Sequence, residues 1–535
     1  MRTRHSAIDF RETGFFSPLI CDYVYEPTKV RHLFNNHPTL QGFEEQIKEK
    51  RGFSQEKREV LTQVLSEQMN GLQLSETQIE NISLLNGSST YTVTTGHQLN
   101  LFTGPLYFLY KIISTINLAK QLKEAYPEID FVPVYWMATE DHDFEEIQFF
   151  NFRETKLSWD RESGGPVGRF NCEGIETVYD RFSSMLGNNR NADSLRALFK
   201  KAYTEGGDLS SATRIIAHEL FHDNGLLILD GDDRALKKLF SPYMSKELEE
   251  GICWNATDES NRFLEDQYKV QVNPRELNLF YIEDGLRERV ISEGEGYRVN
   301  NTDLYFDKRG MEQLLEQTPE KLSPNVLMRP LYQEVILPNL AYIGGGGELA
   351  YWLQLKSVFD NMEVPFPILI LRNSVLLCSS KQHSKMEKLQ LEIKDMFKGA
   401  LELSNEKVRT VSEIDIDLTE QRAMLERMFK ELKELSDRTD SSFSGAVLAQ
   451  EKKQLNGLDK LEKRLLKAQK RKHNELLSRI DTLHRQLFPG GSLQERKANF
   501  SEFYEIYGRD LITALIERLD PLSTYFDVLI LDDSN

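Results

Sequence analysis

Two short polar segments of this sequence carry side chains that could do chemistry. The first is Thr95-Gly96-His97-Gln98, with Thr103-Gly104 shortly after it, and the second is Glu140-Asp141-His142-Asp143. Glycine lets a backbone approach a ligand closely, and the N–H groups at the start of a helix favour phosphate or carboxylate. Successive ionisable groups can orient a histidine, hold a metal ion or position an amine nucleophile. Asp141 and His142 are the candidate catalytic residues. The candidate binding residues are Thr95, Gly96, His97, Gln98, Thr103, Gly104, Glu140 and Asp143.

A third segment combines arginines with a run of glycines. Gly344-Gly345-Gly346-Gly347-Glu348 contains four successive glycines, which are costly unless the backbone must pass close to another group. Their N–H groups could form an anion site ahead of a helix over Leu349–Val358, and Glu348 could bind an amine or a ribose hydroxyl. Arg329 and Arg372 are expected to contact carboxylate or phosphate. This is not a Walker loop, because no Lys-Ser or Lys-Thr follows the glycines.

A competing pattern is typical of zinc peptidases. His218-Glu219-Leu220-Phe221-His222 matches HExxH, in which two histidines share a zinc ion while the glutamate activates water. The third ligand of the longer motif would fall on Ile228, inside an apolar run that favours a buried strand. A zinc site is therefore the less favoured alternative, and no metal is expected.

The elements that must position these segments follow from the hydrophobic pattern. Strands are predicted over Tyr91–Thr95 and Phe131–Met137, joined by a helix over Leu106–Lys123, which makes a βαβ unit. Leu226–Leu229 and Ile368–Leu371 are apolar enough to lie inside a parallel sheet. We therefore predict an α/β protein with a Rossmann-like, doubly wound core, in which ligands bind beyond the carboxyl ends of the strands. The alternative to a ligand site at the Thr95–Gln98 loop is a plain strand–helix turn whose side chains form only local hydrogen bonds.

Changes in composition suggest the domain organisation. Residues 1–380 are expected to form the core, with insertions at about 150–205 and 255–325 where shorter and more polar strand patterns occur. Residues 381–495 are rich in Glu, Lys, Leu and Gln and predict a helical coiled-coil module. Residues 496–535 regain aromatic side chains and are expected to return to the core.

Two heptad patterns support the coiled coil. Asp440–Gly445 is predicted to turn the chain between two antiparallel helices, and a protruding hairpin of this kind favours dimerisation over packing on its own core. The basic run Lys452–His473 fits a solvated helix face, with a local nucleotide site or acidic partner as the alternative. The heptad positions are Leu425, Met428, Leu432 and Leu435, then Leu476, Ile480, Leu483 and Leu487.

Composition also excludes function classes. The net charge of -18 argues against a general nucleic-acid binder. Met1–Phe10 lacks the apolar core of a signal peptide, and the most apolar stretch, Val364–Cys378, is interrupted by prolines and Arg372, so no membrane span is expected. A small molecule or another protein is the expected partner. The cysteines form no CxxC pair and suit free thiols in a reducing cytoplasm: Cys21, Cys172, Cys253 and Cys378.

The order and spacing of these motifs resemble the bacillithiol synthase family. The resemblance implies a Rossmann-type core with two connecting insertions and a homodimer built through the coiled coil. It also implies a ligase that adds L-cysteine to glucosaminyl-malate through an amide bond, giving the thiol bacillithiol. The motifs that carry it are Thr95-Gly96-His97-Gln98, Glu140-Asp141-His142-Asp143, Arg329-Pro330 and Gly344-Gly345 with Glu348.

The resemblance also shapes the expected mechanism. The family more often has Gln where this chain has His97, so His97 is expected to be a hydrogen-bonding ligand and not an acid–base catalyst. Joining the cysteine amine to a malyl carboxylate needs a better leaving group than hydroxide, which suggests activation by a nucleotide, with ATP or ADP as the expected cofactor. Asp141 and His142 would orient and deprotonate the amine. The alternative is a dimeric scaffold or sensor that binds a nucleotide without turnover.

Overall fold

The computed structural model describes residues 3–205, 207–436, 438–439 and 441–532. The chain divides into two compact units. One comprises Met1–Leu377 and Gln494–Asp532, and the other contains Cys378–Leu493. In the described ranges, none of the helices combines the length and apolarity needed to cross a bilayer.

A five-stranded parallel sheet, the central sheet, forms the core of the first unit. Its strands lie side by side in the order Ile368–Leu371, Asn339–Gly344, Thr90–His97, Asp130–Met137 and Leu227–Asp230. Numbered along the chain and read from the Leu227–Asp230 edge, this is the order 3-2-1-4-5 of a Rossmann sheet, so the predicted fold class is confirmed. Nearly all of its side chains are buried, as expected when helices cover both faces of a parallel sheet.

The strand Asn339–Gly344 was not predicted, although the four other strands were. It pairs with Thr90–His97 on one side and Ile368–Leu371 on the other. Thr95 donates a hydrogen bond to the Ile343 carbonyl at 2.8 Å and so ties two of these strands together.

Helix Tyr107–Ala125 packs against the sheet and is buried along most of its length. The remaining α-helices of this unit are Phe10–Thr13, Pro18–Tyr25, Leu40–Lys50, Gln55–Gln68, Glu76–Leu84, Phe144–Ile147, Glu176–Met185, Arg190–Glu205, Leu209–Phe221, Arg234–Glu250, Ile252–Gln267, Lys308–Gln317, Met328–Ile336, Gly346–Trp352, Lys356–Asn361, Phe500–Tyr507 and Arg509–Arg518.

Antiparallel strands complete the first unit. A five-stranded sheet, called here the inserted sheet, has the order Tyr305–Asp307, Gly296–Val299, Leu286–Glu293, Leu279–Glu283 and Leu322–Pro324. Phe149–Phe152 pairs with Thr155–Ser158 in a hairpin, and Thr3–Asp9 pairs with Tyr525–Leu531. The chain therefore returns to the first unit through its last strand.

The second unit is helical, as predicted. Its α-helices are Ser380–Lys388, Ala400–Val411, Thr419–Ser436, Ser441–Lys472 and Asn474–Leu487. The third and fourth of these run antiparallel, because Arg422 pairs with Asp459 while Lys433, further along, pairs with the earlier Glu451.

The predicted turn between these two helices was wrong at most of its residues. Ser442–Gly445 already belongs to helix Ser441–Lys472, and Asp440 lies outside the described residues. Serine favours helix starts as well as turns, so Ser-rich sequence alone does not separate the two.

The two predicted heptad patterns have different outcomes. In helix Asn474–Leu487 the side chains of Ile480, Leu483 and Leu487 are buried as predicted. In helix Thr419–Ser436, however, Met428 is 47% exposed and the buried neighbour is Phe429. The buried face of that helix therefore lies one residue away from part of the predicted seam.

Candidate functional site

A cavity of about 980 Å³ opens at the carboxyl edge of the central sheet. The strand order reverses between Thr90–His97 and Asn339–Gly344, and such a switch point leaves a crevice in which α/β proteins bind ligands. Most predicted site residues line this cavity: Gly96, His97, Gln98, Glu140, Asp141, His142, Arg329, Gly345, Gly346, Gly347, Glu348 and Arg372.

The other predicted binding residues stand outside the lining of the cavity. Thr103 and Gly104 have positive φ, and Asn499 donates hydrogen bonds to the carbonyls of Phe102 and Gly104 at 2.8 and 2.7 Å. These contacts shape the loop from behind. The predicted binding residues that do not line the cavity are Thr95, Thr103, Gly104, Asp143 and Gly344.

The first loop brings glycine backbone next to charged side chains. The Gly96 carbonyl accepts a hydrogen bond from Lys111 Nζ at 2.7 Å. A Cβ atom at Gly96 would lie 3.3 Å from the Tyr342 hydroxyl and 3.6 Å from Arg329 Nη1, so a side chain would crowd this wall. Glycine thus lets this backbone pack closely against Tyr342 and Arg329, whereas close approach to a ligand was the prediction.

The His97 side chain is buried in the wall of the cavity. Its ring packs against Tyr107 and Phe108, and among the described residues its Nε2 has no hydrogen-bond partner. Burial, reinforced by the charge of Lys111, lowers the pKa of His97 to about 3. His97 is therefore neutral at physiological pH.

Asp141 is occupied by donors of its own loop. Its Oδ1 accepts hydrogen bonds from the backbone N–H groups of His142 at 2.8 Å and Asp143 at 3.4 Å. Its Oδ2 accepts one from Gln98 Nε2 at 3.0 Å, which links the two predicted segments. The carboxylate is thereby fixed at the rim of the cavity.

His142 contacts a residue from the inserted sheet. Arg287 Nη1 lies 2.7 Å from His142 Nδ1, whereas Asp141 Oδ1 lies 3.7 Å from the same atom. Burial and the Arg287 charge lower the pKa of His142. The nearest polar partner of the His142 ring is therefore Arg287 and not Asp141.

Glu140 forms a buried ion pair. Lys237 Nζ lies 2.5 Å from Glu140 Oε1, and the Lys237 side chain has no exposed surface. Burial raises the pKa of Glu140, while Lys237 opposes the rise. The glutamate thus serves to balance a buried cation beneath the cavity floor.

Glu348 is the centre of a second charged network. It accepts hydrogen bonds from the Tyr342 hydroxyl at 2.8 Å and the Gly345 N–H at 2.9 Å, and Lys111 Nζ lies 2.6 Å from its Oε2. Burial alone would raise the pKa of Glu348, but Lys111 and these hydrogen bonds lower it. Glu348 is consequently a carboxylate held by three donors.

The glycine run differs from the predicted anion nest. None of Gly344–Gly347 has a positive φ, and the helix begins at Gly346 instead of Leu349. The Gly345 N–H is already used by Glu348, because that side chain reaches back to cap its own helix. A Cβ at Gly344 would lie 2.8 Å from Leu349 Cδ1 and 3.0 Å from Tyr342 Cε1, so a larger residue there would require these side chains to shift.

Two arginines stand beside these networks. The Arg329 guanidinium lies 5.5–5.9 Å from the ring centres of Trp136, Tyr342 and Trp352. Arg372 Nη2 lies 2.7 Å from Glu495 Oε1, while its buried Nε has no partner within the described part of the chain. A buried N–H group without an acceptor favours a ligand oxygen.

Cations outnumber carboxylates around the cavity. The carboxylates are Glu140, Asp141, Glu146 and Glu348, and the cations are Lys111, Arg275, Arg287, Arg289, Arg329, Arg372 and Arg496. Seven against four is the reverse of the charge balance of the whole chain, so the cavity attracts anions although the protein is acidic.

Comparison with known proteins identifies the family. Residues 1–373 match the bacillithiol biosynthesis BshC N-terminal Rossmann-like domain, and residues 375–531 match the BshC C-terminal coiled-coil domain. The chain belongs to the BshC family.

Relatives from several bacteria align with almost the entire chain. The Flavobacterium johnsoniae protein is 51% identical over 523 residues, covering 98% of this chain and 99% of the relative. The Christiangramia forsetii protein is 50% identical with 98% of each chain covered, and the Cytophaga hutchinsonii protein is 36% identical with 96% of each covered. All three are named "Putative cysteine ligase BshC". An arginyl-tRNA synthetase from Plasmodium falciparum overlaps with 80% of this chain and 75% of its own. The TM-score is 0.22 and the identity 10%, which does not indicate a shared fold.

Several residues that line or support the cavity of this BshC family member were not predicted from the sequence. Lys111 sits in an apolar helix, and a lone cation in such a run is a signal that it needs a buried partner. Arg287 and Lys237 carried no such signal, because only the tertiary fold brings them beside His142 and Glu140.

The HExxH pattern does not assemble a metal site in the described residues. His218 lies on helix Leu209–Phe221, and its ring stacks on that of His222 with 5.0 Å between centres. The His222 Nδ1 lies 3.0 Å from the His218 carbonyl. No group of three or more His, Cys, Asp or Glu side chains suited to a metal occurs in the ranges that the structure describes.

Proposed function

We propose that this BshC family member is a ligase that joins L-cysteine to glucosaminyl-malate through an amide bond. The cation-rich cavity at the switch point of the central sheet is the observation that carries this proposal. Malate is a dicarboxylate, and paired arginines are the side chains best suited to bind carboxylates. The names of the relatives support cysteine as the second substrate.

The direction of the amide bond follows from the same charge argument. We propose that the cysteine carboxyl group is joined to the sugar amine, instead of the cysteine amine to a malyl carboxylate as expected from the sequence. This direction leaves both malate carboxylates free to bind cations of the cavity, such as Arg289 and Arg329. The cysteine thiol also remains free in the product.

Asp141 and His142 are the proposed catalytic residues. Asp141 attracts the sugar ammonium at the cavity rim and takes up the proton that the nitrogen must lose before it attacks. His142 faces the same cavity and contacts the acyl group. Gln98 keeps Asp141 in place through the hydrogen bond between the two loops.

A nucleoside triphosphate is the proposed activator of the carboxyl group. It would supply a phosphoryl or adenylyl group that converts a carboxylate oxygen into a leaving group. The residues present fit such an anion, since Arg372 Nε is buried without a partner in the described chain and Lys111 stands close by. Gly347 also lines the cavity, and the space beside its Cα is open, which leaves room for backbone approach to a phosphate.

The coiled-coil hairpin is the proposed dimer contact, and the cytoplasm is the proposed compartment. Large apolar side chains are exposed on helices Thr419–Ser436 and Ser441–Lys472, which supports a protein partner there. In the described part of the chain the cysteines form no disulfide, which suits a reducing compartment.

Incubation of the purified protein with glucosaminyl-malate, L-cysteine and ATP tests the ligase directly. Mass spectrometry should detect the cysteinyl amide with a free thiol, and fragmentation should place the amide on the sugar nitrogen. Asp141→Asn should lower kcat/KM by about 100-fold or more, because it removes the proton acceptor. The matched control is Glu145→Gln, which changes a nearby exposed carboxylate outside the cavity lining.

Two outcomes would argue against this assignment. Full activity of Asp141→Asn, with an unchanged circular-dichroism spectrum, would remove Asp141 from the mechanism. Thermal stabilisation by nucleotide alone, without product or stabilisation by either substrate, would favour a nucleotide-binding scaffold or sensor.

A further inference from the structure

The hydrogen bond between Arg287 and His142 determines where the histidine carries its proton. A neutral imidazole has one N–H donor and one acceptor nitrogen, whereas a guanidinium has only donors and stays charged. Arg287 Nη1 lies 2.7 Å from His142 Nδ1. Nδ1 must therefore be the acceptor, and the proton of neutral His142 resides on Nε2.

Arg287 is itself held firmly in this position. Its guanidinium stacks 3.9 Å above the Phe280 ring, and its Nη2 donates to the Pro324 carbonyl at 3.4 Å. The Phe280 ring centre is also 5.7 Å from that of His142. Arg287 and Phe280 lie on paired strands of the inserted sheet, so the arrangement depends on that sheet and not on a flexible loop.

The other charged groups near His142 do not compete for Nδ1. The closest carboxylate oxygen, Asp141 Oδ1, is 3.7 Å away and accepts from two backbone N–H groups. Asp141, Asp143 and Glu288 each raise the pKa of His142, but burial and Arg287 outweigh them and lower it. His142 is consequently neutral at neutral pH, which is the form that can accept from Arg287.

We propose that Arg287 is a positioning residue that holds His142 as the Nε2–H tautomer. In this form His142 donates a hydrogen bond to the acyl oxygen and does not act as a base. This second part rests on the proposed ligase function. His142 keeps its proton throughout, so the proton that the sugar ammonium loses before attack goes to Asp141. The proton that the nitrogen loses as the amide forms leaves with the departing phosphate of the activated carboxyl group. A donor aimed at the oxygen where negative charge develops is a large source of rate enhancement.

Ring-¹⁵N histidine NMR tests the tautomer directly, whether or not the protein is active. Wild-type protein should show a protonated Nε2 and an unprotonated Nδ1 for His142, assigned by the signal missing from His142→Asn. Arg287→Met keeps a long side chain but removes the donor, so the Nδ1–H tautomer should appear. Arg298→Met is the control, because Arg298 belongs to the same sheet, pairs with Glu293 and does not line the cavity.

Kinetics test the donor role. Arg287→Met should lower kcat by about 10- to 100-fold, less than the roughly 100- to 1000-fold loss that follows complete removal of an oxyanion donor. The ¹⁵N signals of His142 should also show that the ring takes up its second proton at higher pH in the variant, since Arg287 no longer disfavours protonation. Loss of activity with an unchanged ring titration and an unchanged tautomer would indicate a purely structural role.

The outcomes separate the two ideas. A protonated Nδ1 in the wild type, or an unchanged tautomer in Arg287→Met, would refute the positioning role even if the protein is a ligase. The expected tautomers together with no amide formation would retain that role and reject the ligase. An active Arg287→Met with an altered tautomer but wild-type kcat would overturn the donor role of His142.

Discussion

At the scale of single residues, the buried His97 makes the free energy of unfolding depend on pH. Burial lowers its pKa to about 3, well below the 6.5 of an exposed histidine. As pH falls below 6.5 the unfolded chain binds a proton at this position and the folded chain does not. The stability that His97 contributes is therefore lost progressively from pH 6.5 down to about pH 3. Above pH 6.5 the contribution of His97 stays constant.

Replacing His97 with glutamine should remove this pH dependence. Between pH 7 and pH 5 the wild type should lose about 2 kcal/mol of unfolding free energy through His97, and His97→Gln should not lose this share. Urea unfolding of both proteins at the two pH values measures the difference. His32→Gln, at an exposed histidine, should keep the wild-type difference. The same pH dependence in His97→Gln as in the wild type would contradict the effect of burial on the pKa of His97.

How far single site residues can be predicted depends on what positions them. The loops around Gly96 and Asp141 were found from the sequence because parallel strands bring the loops after them to one edge of the sheet. Arg287 was not found, because the inserted sheet that supplies it reaches His142 across 145 positions of sequence. Thr103 was predicted to bind and instead lies outside the cavity lining, since the sequence does not reveal which way a loop residue points.

At the scale of elements, one ion pair fastens helix Leu40–Lys50 to the core. Lys50 Nζ lies 2.8 Å from Glu334 Oε2, and both side chains are almost completely buried. Asn339 and Gln333 donate to the other oxygen of Glu334 at 2.6 and 3.0 Å. The pair therefore connects the helix to the residues that lead into strand Asn339–Gly344.

Removal of Lys50 should destabilise the first unit strongly. Lys50→Met leaves the Glu334 carboxylate buried without its cation and should cost about 3–5 kcal/mol of unfolding free energy. Chemical denaturation measures this loss. Lys48→Met is the matched control on the same helix, where an exposed lysine pairs with Glu44 and Glu45, and it should change stability little. Similar midpoints for the two variants would show that the buried pair contributes no more than the exposed ones.

The same elements show why most of the central sheet was predictable and one strand was not. Four strands were predicted because they consist of continuous apolar or β-branched residues, as buried parallel strands should. Asn339–Gly344 begins with a polar side chain and ends in glycines, so its pattern resembles a loop. Asn339 is accommodated because its Oδ1 accepts hydrogen bonds from Thr92 and Thr94, at 3.1 and 2.8 Å, which only the folded sheet reveals.

At the scale of the whole molecule, charge is distributed unevenly. The chain has a net charge of -18, yet its cavity is lined by more cations than carboxylates. The net charge favoured a small molecule or a protein over a polyanion as the partner, but it could not predict the sign of the charge around the cavity. The electrostatic field in the cavity depends on which side chains the fold brings together, and the net charge of the chain does not contain that information.

Part of the predicted seam of the coiled-coil module is exposed to solvent in the single chain. Met428 is 47% exposed and Leu435 is 51% exposed, and the two are seven residues apart on one face of helix Thr419–Ser436. Met424, Leu448 and Leu461 are also more than half exposed. Apolar side chains at heptad spacing that do not pack within their own hairpin are suited to a second copy of the chain.

Charges placed on this face should therefore separate the proposed dimer. In Met428→Glu/Leu435→Glu, two carboxylates would be buried opposite their own copies, and each unpaired charge costs several kcal/mol. Sedimentation equilibrium should give a monomer for this variant and a dimer for the wild type. Ala423→Glu/Lys430→Gln has the same spacing and the same change in net charge at exposed positions off this face, and it should remain dimeric. A wild-type monomer, or a dimer that survives both double substitutions, would require a different role for these side chains.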